Sequence, residues 1–200
     1  MKRVWTVVTV LGAVLLIGAA ALTFWNFQQD ASAGEESETL VYELAEVIPD
    51  TPAVPEEIQE VEQVADPGNY EMPTVNIDGT KYMGVLYFPD LNRELPVFAE
   101  YSLPKLRTAP AVYYGSPITH DLVICGHNYR SHFGPLNRLP VGAKIQIKSA
   151  DGTVFDYKIA ATEVVSPFAV EDVTSGAWDL TLFTCTLGGR TRYVVRCDMI

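Results

Sequence analysis

Three residues in the C-terminal half of the chain have the types that a thiol-based acyl transfer needs. Cys185 supplies a sulfur nucleophile, His127 a proton acceptor and donor, and Arg192 a positive charge for the oxyanion that forms when a carbonyl is attacked. Cys185 ends the apolar run 180–184, His127 follows the run 122–126, and Arg192 begins the last apolar run. Because strand ends meet at one rim of a barrel, the sequence predicts a cysteine-dependent acyl-transfer site there.

The sequence contains other residues that could take the roles of the acid-base histidine and of the arginine that holds the oxyanion. His120 and His132 lie on either side of His127, and we interpret His132 as part of a loop or as lining of a substrate groove. Arg196 remains an alternative to Arg192, since residues four apart in a strand share one face. Residue type and spacing alone leave these alternatives open.

The chain contains three cysteines, an odd number that argues against a small domain held together by disulfides. Cys125 and Cys197 lie within or at the end of apolar runs. They are interpreted either as buried thiols or as a disulfide pair, and at least one cysteine is expected to be free.

Residues 71–200 show short runs rich in β-branched and aromatic residues, separated by turn residues, which predicts an all-β catalytic domain. The Asp151-Gly152 pair is the strongest hairpin signal. Eight short strands indicate a closed barrel or a sandwich, because closure removes exposed strand edges. Short helical turns are expected at residues 102–107 and 133–139. The predicted strands are residues 81–88, 96–99, 122–125, 144–149, 153–161, 163–167, 180–184 and 193–197.

The N-terminus carries Lys2 and Arg3, followed by an uncharged run at residues 5–25 that would span roughly 30 Å as a helix. This predicts a cytoplasmic N-terminus and a transmembrane anchor within residues 1–27, with everything that follows outside the cell. A signal peptide cleaved near residues 31–33 (ASA) is the alternative, but the apolar run is longer than such peptides need. A buried core helix would lack an equally large partner surface.

Residues 28–70 contain twelve acidic residues, no Lys or Arg, and four prolines. This composition predicts an extended linker or stalk between the membrane and the domain. The alternative is that its short apolar segments, residues 40–42 and 47–48, pack on the domain.

The net charge of −11 is concentrated in this linker. Residues 71–200 hold thirteen acidic residues against twelve Lys and Arg, so no basic face for nucleic acid is expected. No cluster of His, Cys, Asp and Glu has the spacing of a zinc site, and no glycine-rich phosphate loop precedes a helix. We therefore expect neither a metal nor another cofactor.

The residues around the predicted site resemble a known family. Residues 180–185 (LTLFTC), followed by 192–196 (RYVVR), are similar to the TLxTC…R signature of the bacterial sortases. Residues 126–129 (GHNY) resemble the family's catalytic-histidine loop. Similarity to its first strands is seen at residues 84–86, 88–89 and 95–97.

The resemblance implies an eight-stranded barrel and a two-step transpeptidation. Cys185 would attack the Thr–Gly bond of an LPxTG-like sorting signal, His127 would act as acid and base, and Arg192 would hold substrate backbone or the oxyanion. Thr184 would help to position the substrate. The acceptor would be the amine of a cell-wall precursor or a pilin lysine; no cofactor is implied, although some relatives bind calcium.

The pilin-polymerising branch of the family typically has an Asp-Pro-aromatic lid motif and often a second, C-terminal membrane helix. Here residues 66–68 are Asp-Pro-Gly, and the chain stops at Ile200 after the last predicted strand. Both differences favour the attachment of surface proteins to the cell wall. Three functions outside this family remain open: an exported cysteine peptidase, an L,D-transpeptidase, in which His and Cys usually share one short motif, and a binding module that has lost activity.

Overall fold

The computed structural model describes residues 2–50 and 72–200. Its first element is one continuous helix, α1 (Lys2–Val47), which measures about 70 Å at about 1.5 Å per residue. The N-terminal part of α1 is long and apolar enough to cross a membrane, and its most apolar stretch is not buried against the rest of the protein. The predicted apolar N-terminal helix is therefore present, and it is not a core helix.

The second half of α1 packs against the domain instead of forming the extended stalk that its composition predicts. Ala33, Ser37, Leu44 and Ile48 are each buried, with at most 4% of their surface exposed. Intervals of four and seven residues place them on one helical face, so the acidic residues between them remain in solvent. Of the two apolar segments considered for packing, Leu40 and Ile48 contact the domain, whereas Tyr42 and Val47 are exposed. The rest of the predicted linker, residues 51–70 with its remaining prolines, lies outside the described residues, as does residue 71, the first of the predicted domain.

Leu44 fixes this helix to the domain, and its truncation should release the second half of α1. Leu44 is fully buried in a cluster that includes Tyr82 and Phe98. We expect Leu44→Ala to weaken the packing by about 2–5 kcal/mol. In the full chain in detergent micelles, a glutamate-specific protease should then cut the segment 35–46 faster. Tyr42→Ala, at a position that is 68% exposed on the same helix, is the matched control and should leave the cleavage rate unchanged.

Within residues 72–200 the domain contains nine strands, joined by short 3-10 turns and one short helix, α2 (Val170–Val173). The predicted helical turns correspond to 3-10 segments at Lys105–Arg107 and Gly134–Arg138. The strands are β1 (Val75–Ile77), β2 (Thr80–Phe88), β3 (Arg93–Phe98), β4 (Ala111–Tyr114), β5 (Leu122–Gly126), β6 (Lys144–Ser149), β7 (Val154–Val165), β8 (Leu180–Cys185) and β9 (Arg192–Met199).

The sheet follows the order β1-β2-β3-β4-β5-β8-β9-β7-β6, and pairing of β2 with β6 closes strands β2 to β9 into an eight-stranded barrel. A Cβ at Gly84 would lie 2.0 Å from the Lys148 carbonyl oxygen, so the closing pair requires glycine there. Each barrel strand contributes side chains to one buried cluster that fills the interior. The predicted closed all-β barrel is confirmed.

Two details of the predicted strand set are wrong. The strands predicted at residues 153–161 and 163–167 are a single strand, β7, whose pairing with β9 shifts register between Ile159 and Ala161. A bulge of this kind interrupts the alternation of apolar and polar residues, and the sequence pattern then looks like a break. The short strands β1 and β4 were not predicted. The hairpin at Asp151-Gly152 does connect β6 and β7.

Candidate active site

The ends of β5 and β8 bring the predicted histidine and cysteine to the same rim of the barrel. The two strands are parallel neighbours, with Gly126 paired with Thr184. The buried Thr184 hydroxyl donates a hydrogen bond to the Gly126 carbonyl oxygen at 2.9 Å. His127 and Cys185 each follow directly after this pair. In the structure Thr184 therefore ties the two strand ends together.

Gly126 lets the chain fold back immediately after β5. A Cβ on this residue would lie 2.7 Å from the Phe133 ring, too close for any side chain. The Phe133 amide also donates to the His127 carbonyl oxygen at 3.1 Å. The loop that carries His127 is thus closed against the fully buried Phe133, and this explains why glycine precedes the histidine.

Cys185 and Arg192 lie directly opposite each other in the antiparallel pair β8–β9. The turn between them contains Gly188 and Gly189, which have φ angles of 82° and 71° and so occupy the left-handed region that favours glycine. The Arg192 guanidinium donates to the carbonyl oxygens of Gly189 and Thr191, each at 3.1 Å. The short interval between Cys185 and Arg192 is therefore a tight hairpin that places the two side by side.

The His127 ring stacks on Tyr129, with ring centroids 4.3 Å apart and an angle of 2° between the planes. Burial lowers the pKa of His127, while a hydrogen bond with the Asn128 side chain acts in the opposite direction. The imidazole is thus biased toward its neutral form, which can accept a proton. Sequence reasoning did not single out Tyr129, since an aromatic residue in a loop carries no signal for such stacking.

Arg196 is engaged in a different part of the barrel from Arg192. Its side chain is 3% exposed and donates to Glu163 at 2.7 Å and to the Thr181 hydroxyl at 3.2 Å. It also forms an ion pair of 3.3 Å with Asp172 of α2. Because its donors are occupied by these partners, Arg196 is a structural residue that holds α2 against the barrel.

Cys125 and Cys197 are buried free thiols. The interpretation as buried thiols is therefore correct, and the two residues do not form a disulfide. Burial raises the pKa of Cys125 to about 12 and raises the pKa of Cys197 strongly as well. Neither thiol can form an appreciable amount of thiolate near neutral pH. Cys185, by contrast, is partly exposed.

The two other histidines have different surroundings. His120 is exposed and bonded to Asp179 at 2.9 Å. His132 is 1% exposed, its Nε2 lies 3.3 Å from the Ser37 hydroxyl of α1, and its Nδ1 has no hydrogen-bond partner among the described residues. His132 is therefore a buried residue of the loop, at the contact with α1.

Buried His132 should make the protein less stable in acid. Burial lowers its pKa from 6.5 to about 4, so between these pH values the unfolded chain binds a proton that the folded chain excludes. Stability should then fall as the pH drops from 7 to 4, by roughly 3 kcal/mol from this residue. Chemical unfolding of wild type and His132→Gln at several pH values measures this: the variant should lose less stability over the interval, and identical pH profiles would contradict the assignment.

A cleft of about 200 Å³ opens beside the candidate nucleophile and is mostly apolar. Cys185 and Arg192 lie in its wall, next to Thr184 and the ends of β5 and β8, and the segment that leads into α2 closes one side. His127 instead lines a neighbouring cavity on the side that faces α1. The cleft is lined by Tyr101, Leu103, Leu106, Tyr113, Cys125, Gly126, Ser166, Pro167, Ala169, Val170, Val173, Phe183, Thr184, Cys185 and Arg192.

The sequence matches the model of one protein family, and the fold is similar to that of solved structures from the same family. Residues 86–200 match the family model of the Sortase domain. The structure is similar to sortase C1 from Streptococcus agalactiae, with 28% identity and a TM-score of 0.55 over 62% of this chain and 70% of that chain.

Two further solved structures show likeness of fold. Sortase C from Clostridium perfringens SM101 has 18% identity and a TM-score of 0.53, over 86% of this chain and 90% of that one. A Clostridium perfringens sortase D5 transpeptidase has 20% identity and a TM-score of 0.52, over 60% of this chain and 79% of that one. A comparison with curated protein sequences gives no match.

Proposed function

Because the Sortase domain spans more than half of the chain, the protein belongs to the sortase family of cysteine transpeptidases, and we propose that it cleaves LPxTG-like sorting signals between Thr and Gly. The observation that carries this proposal is the pairing of Cys185 with Arg192 across β8 and β9, beside the strand end that bears His127. A partly exposed thiol, a cation and a partly buried imidazole at one rim suit acyl transfer.

In the first half of the reaction, the Cys185 sulfur attacks the threonine carbonyl carbon and its proton passes to His127. The oxyanion that forms is stabilised by the Arg192 guanidinium. The C–N bond then breaks as His127 gives its proton to the departing glycine amine, leaving a thioester on Cys185.

In the second half, the amine of an acceptor attacks the thioester carbonyl. His127 takes the proton from this amine, the new amide bond forms, and the Cys185 thiolate leaves. Thr184 supports both steps by holding the end of β8 to Gly126, which keeps the nucleophile in place.

For the acceptor, we propose the amine of a cell-wall precursor, so that the enzyme attaches surface proteins to the cell wall. A pilin lysine is the second candidate within the family. For the location, we propose that the apolar part of α1 crosses the cell membrane, with the N-terminus in the cytoplasm and the barrel outside. The Asp-Pro-Gly segment at residues 66–68 lies outside the described residues.

The test is peptide cleavage followed by mass spectrometry, with the full chain in detergent micelles because α1 packs on the barrel. A small library of LPxTG-like peptides is incubated with and without an added amine. Cleavage between Thr and Gly, with a ligated product only when amine is present, would support the proposal. Hydrolysis that the amine does not redirect would favour an exported cysteine peptidase, and no cleavage of any peptide would contradict the proposed substrate class.

A further inference from the structure

The loop that bears His127 is held next to the end of the apolar part of α1. The Asp30 carboxylate accepts hydrogen bonds from the amide and the hydroxyl of Ser131, at 3.0 and 2.7 Å. The Tyr129 hydroxyl donates to Gln29 at 3.4 Å. Along the helix, Asp30 lies only about 5 Å beyond Phe27 at about 1.5 Å per residue. Since α1 has no break between them, the catalytic rim stays at a fixed height close to the membrane segment.

A cavity of about 560 Å³ separates α1 from the rim, and both contribute to its wall. Thr23 and Phe27 line it from α1, and His127 and Leu187 line it from the barrel. Thr23 belongs to the uncharged run that we assign to the membrane. The tip of the β8–β9 turn therefore reaches the level at which α1 leaves the bilayer.

The exposed side chains of this rim are of the kinds that favour a lipid interface. Leu187, at the tip of the turn, is 97% exposed, and Phe168 and Leu103, which lie in or beside segments lining the cleft, are 88% and 71% exposed. Arg107 and Arg130 line the same cavity as Leu187. Apolar side chains next to arginines are typical of segments that bind anionic lipid surfaces.

We propose that the β8–β9 turn inserts Leu187 into the outer face of the bilayer, so that the catalytic cleft opens at the membrane surface. Arg107 and Arg130 lie beside it, where lipid phosphates would pair with them. Asp30, the first acidic residue of α1, lines the same cavity, and its carboxylate is bonded to Ser131. The other acidic residues of α1 lie farther along the helix, from Glu35 onward, and are held away from the lipid. The inference rests on the membrane assignment of α1 made above, but not on the peptide substrate.

The experiment uses the full chain in lipid nanodiscs, with Cys185→Ala so that only an added thiol reacts; Cys125 and Cys197 are buried. Leu187→Cys is labelled with an environment-sensitive fluorophore, and quenching by lipids with a spin label near the headgroup is measured. The probe at position 187 should lose at least about half of its fluorescence if it enters the interface.

Two labelled controls separate the possible outcomes. Val154→Cys marks the far end of the barrel, because β7 starts there and its last residue, Val165, pairs with Arg192 about 35 Å away at about 3.3 Å per residue. It should remain unquenched. Phe24→Cys lies in the apolar run and should be quenched.

Quenching at position 24 without quenching at 187 would overturn the insertion of the turn and leave the anchor intact, whereas no quenching at either would overturn both. A probe at 187 that responds to added sorting peptide, and not to the lipid label, would identify the patch as a peptide-binding surface and also overturn the proposal.

Discussion

Cys185→Ala is expected to abolish peptide cleavage and amine transfer, with a loss of at least about 10³-fold that is set by the detection limit. The reason is chemical, because no covalent intermediate can form without this sulfur. The two other cysteines are buried thiols with raised pKa values and cannot replace it. Mass spectrometry should show the mass of a thioester adduct on the wild-type chain and none on the variant.

Labelling with iodoacetamide tests whether His127 activates this thiol. Wild type should react at one site near neutral pH, and His127→Ala should react more slowly, because the imidazole no longer takes the proton or stabilises the thiolate. Cys197→Ala is the control, since removing a buried thiol should leave the labelling rate unchanged. Equal rates in wild type and His127→Ala would show that the histidine does not activate the cysteine.

Much of the barrel and of its rim could be predicted because the information is local. The run that ends at Cys185 and the run that precedes His127 are short, apolar and bounded by turn residues, so the strands and their ends are visible in the sequence. The glycine before His127 and the two glycines before Arg192 mark the turns that position these side chains. The order of the strands around the barrel was not predicted, because it depends on pairing between segments that are distant in sequence.

The packing of α1 could not be predicted from average composition. The segment after Phe27 is acidic overall, and this average favours an extended chain in solvent. The small or apolar residues Ala33, Ser37, Leu44 and Ile48 nevertheless recur on one helical face and find a partner surface on the barrel. The helical spacing of these residues is present in the sequence. Because Ala and Ser contribute little to a pattern of hydrophobicity, the spacing gives only a weak signal for a buried helical face.

The choice between Arg192 and Arg196 depends on partners that are distant in sequence. Both residues lie on β9, and their spacing puts them on the same face of an ideal strand. Glu163 comes from β7 and Asp172 from α2, and these carboxylates occupy Arg196 alone. No local sequence pattern predicts the ion pairs of Arg196 with Glu163 and Asp172.

Arg192→Ala should lower kcat/KM by about 10² to 10³-fold and leave the fold intact. Loss of one oxyanion donor has an effect of this size, and the bonds of Arg192 to carbonyl oxygens in an exposed turn contribute little to stability. Arg192→Lys should recover only part of the activity, because an ammonium group cannot reproduce the planar fork of a guanidinium. Single-turnover formation of the thioester measures the chemical step, and urea unfolding measures stability.

Arg196→Ala is the matched variant on the same strand, and the opposite pattern is expected from it. Its removal leaves the Thr181 hydroxyl and α2 without their buried partner, so the free energy of unfolding should fall by roughly 2 to 3 kcal/mol. The fraction that remains folded should still form the thioester, because Arg196 points its donors at Glu163 and Asp172. A stable Arg196→Ala protein without thioester formation, together with an active Arg192→Ala protein, would reverse the assignment and make Arg196 the guanidinium that meets the substrate.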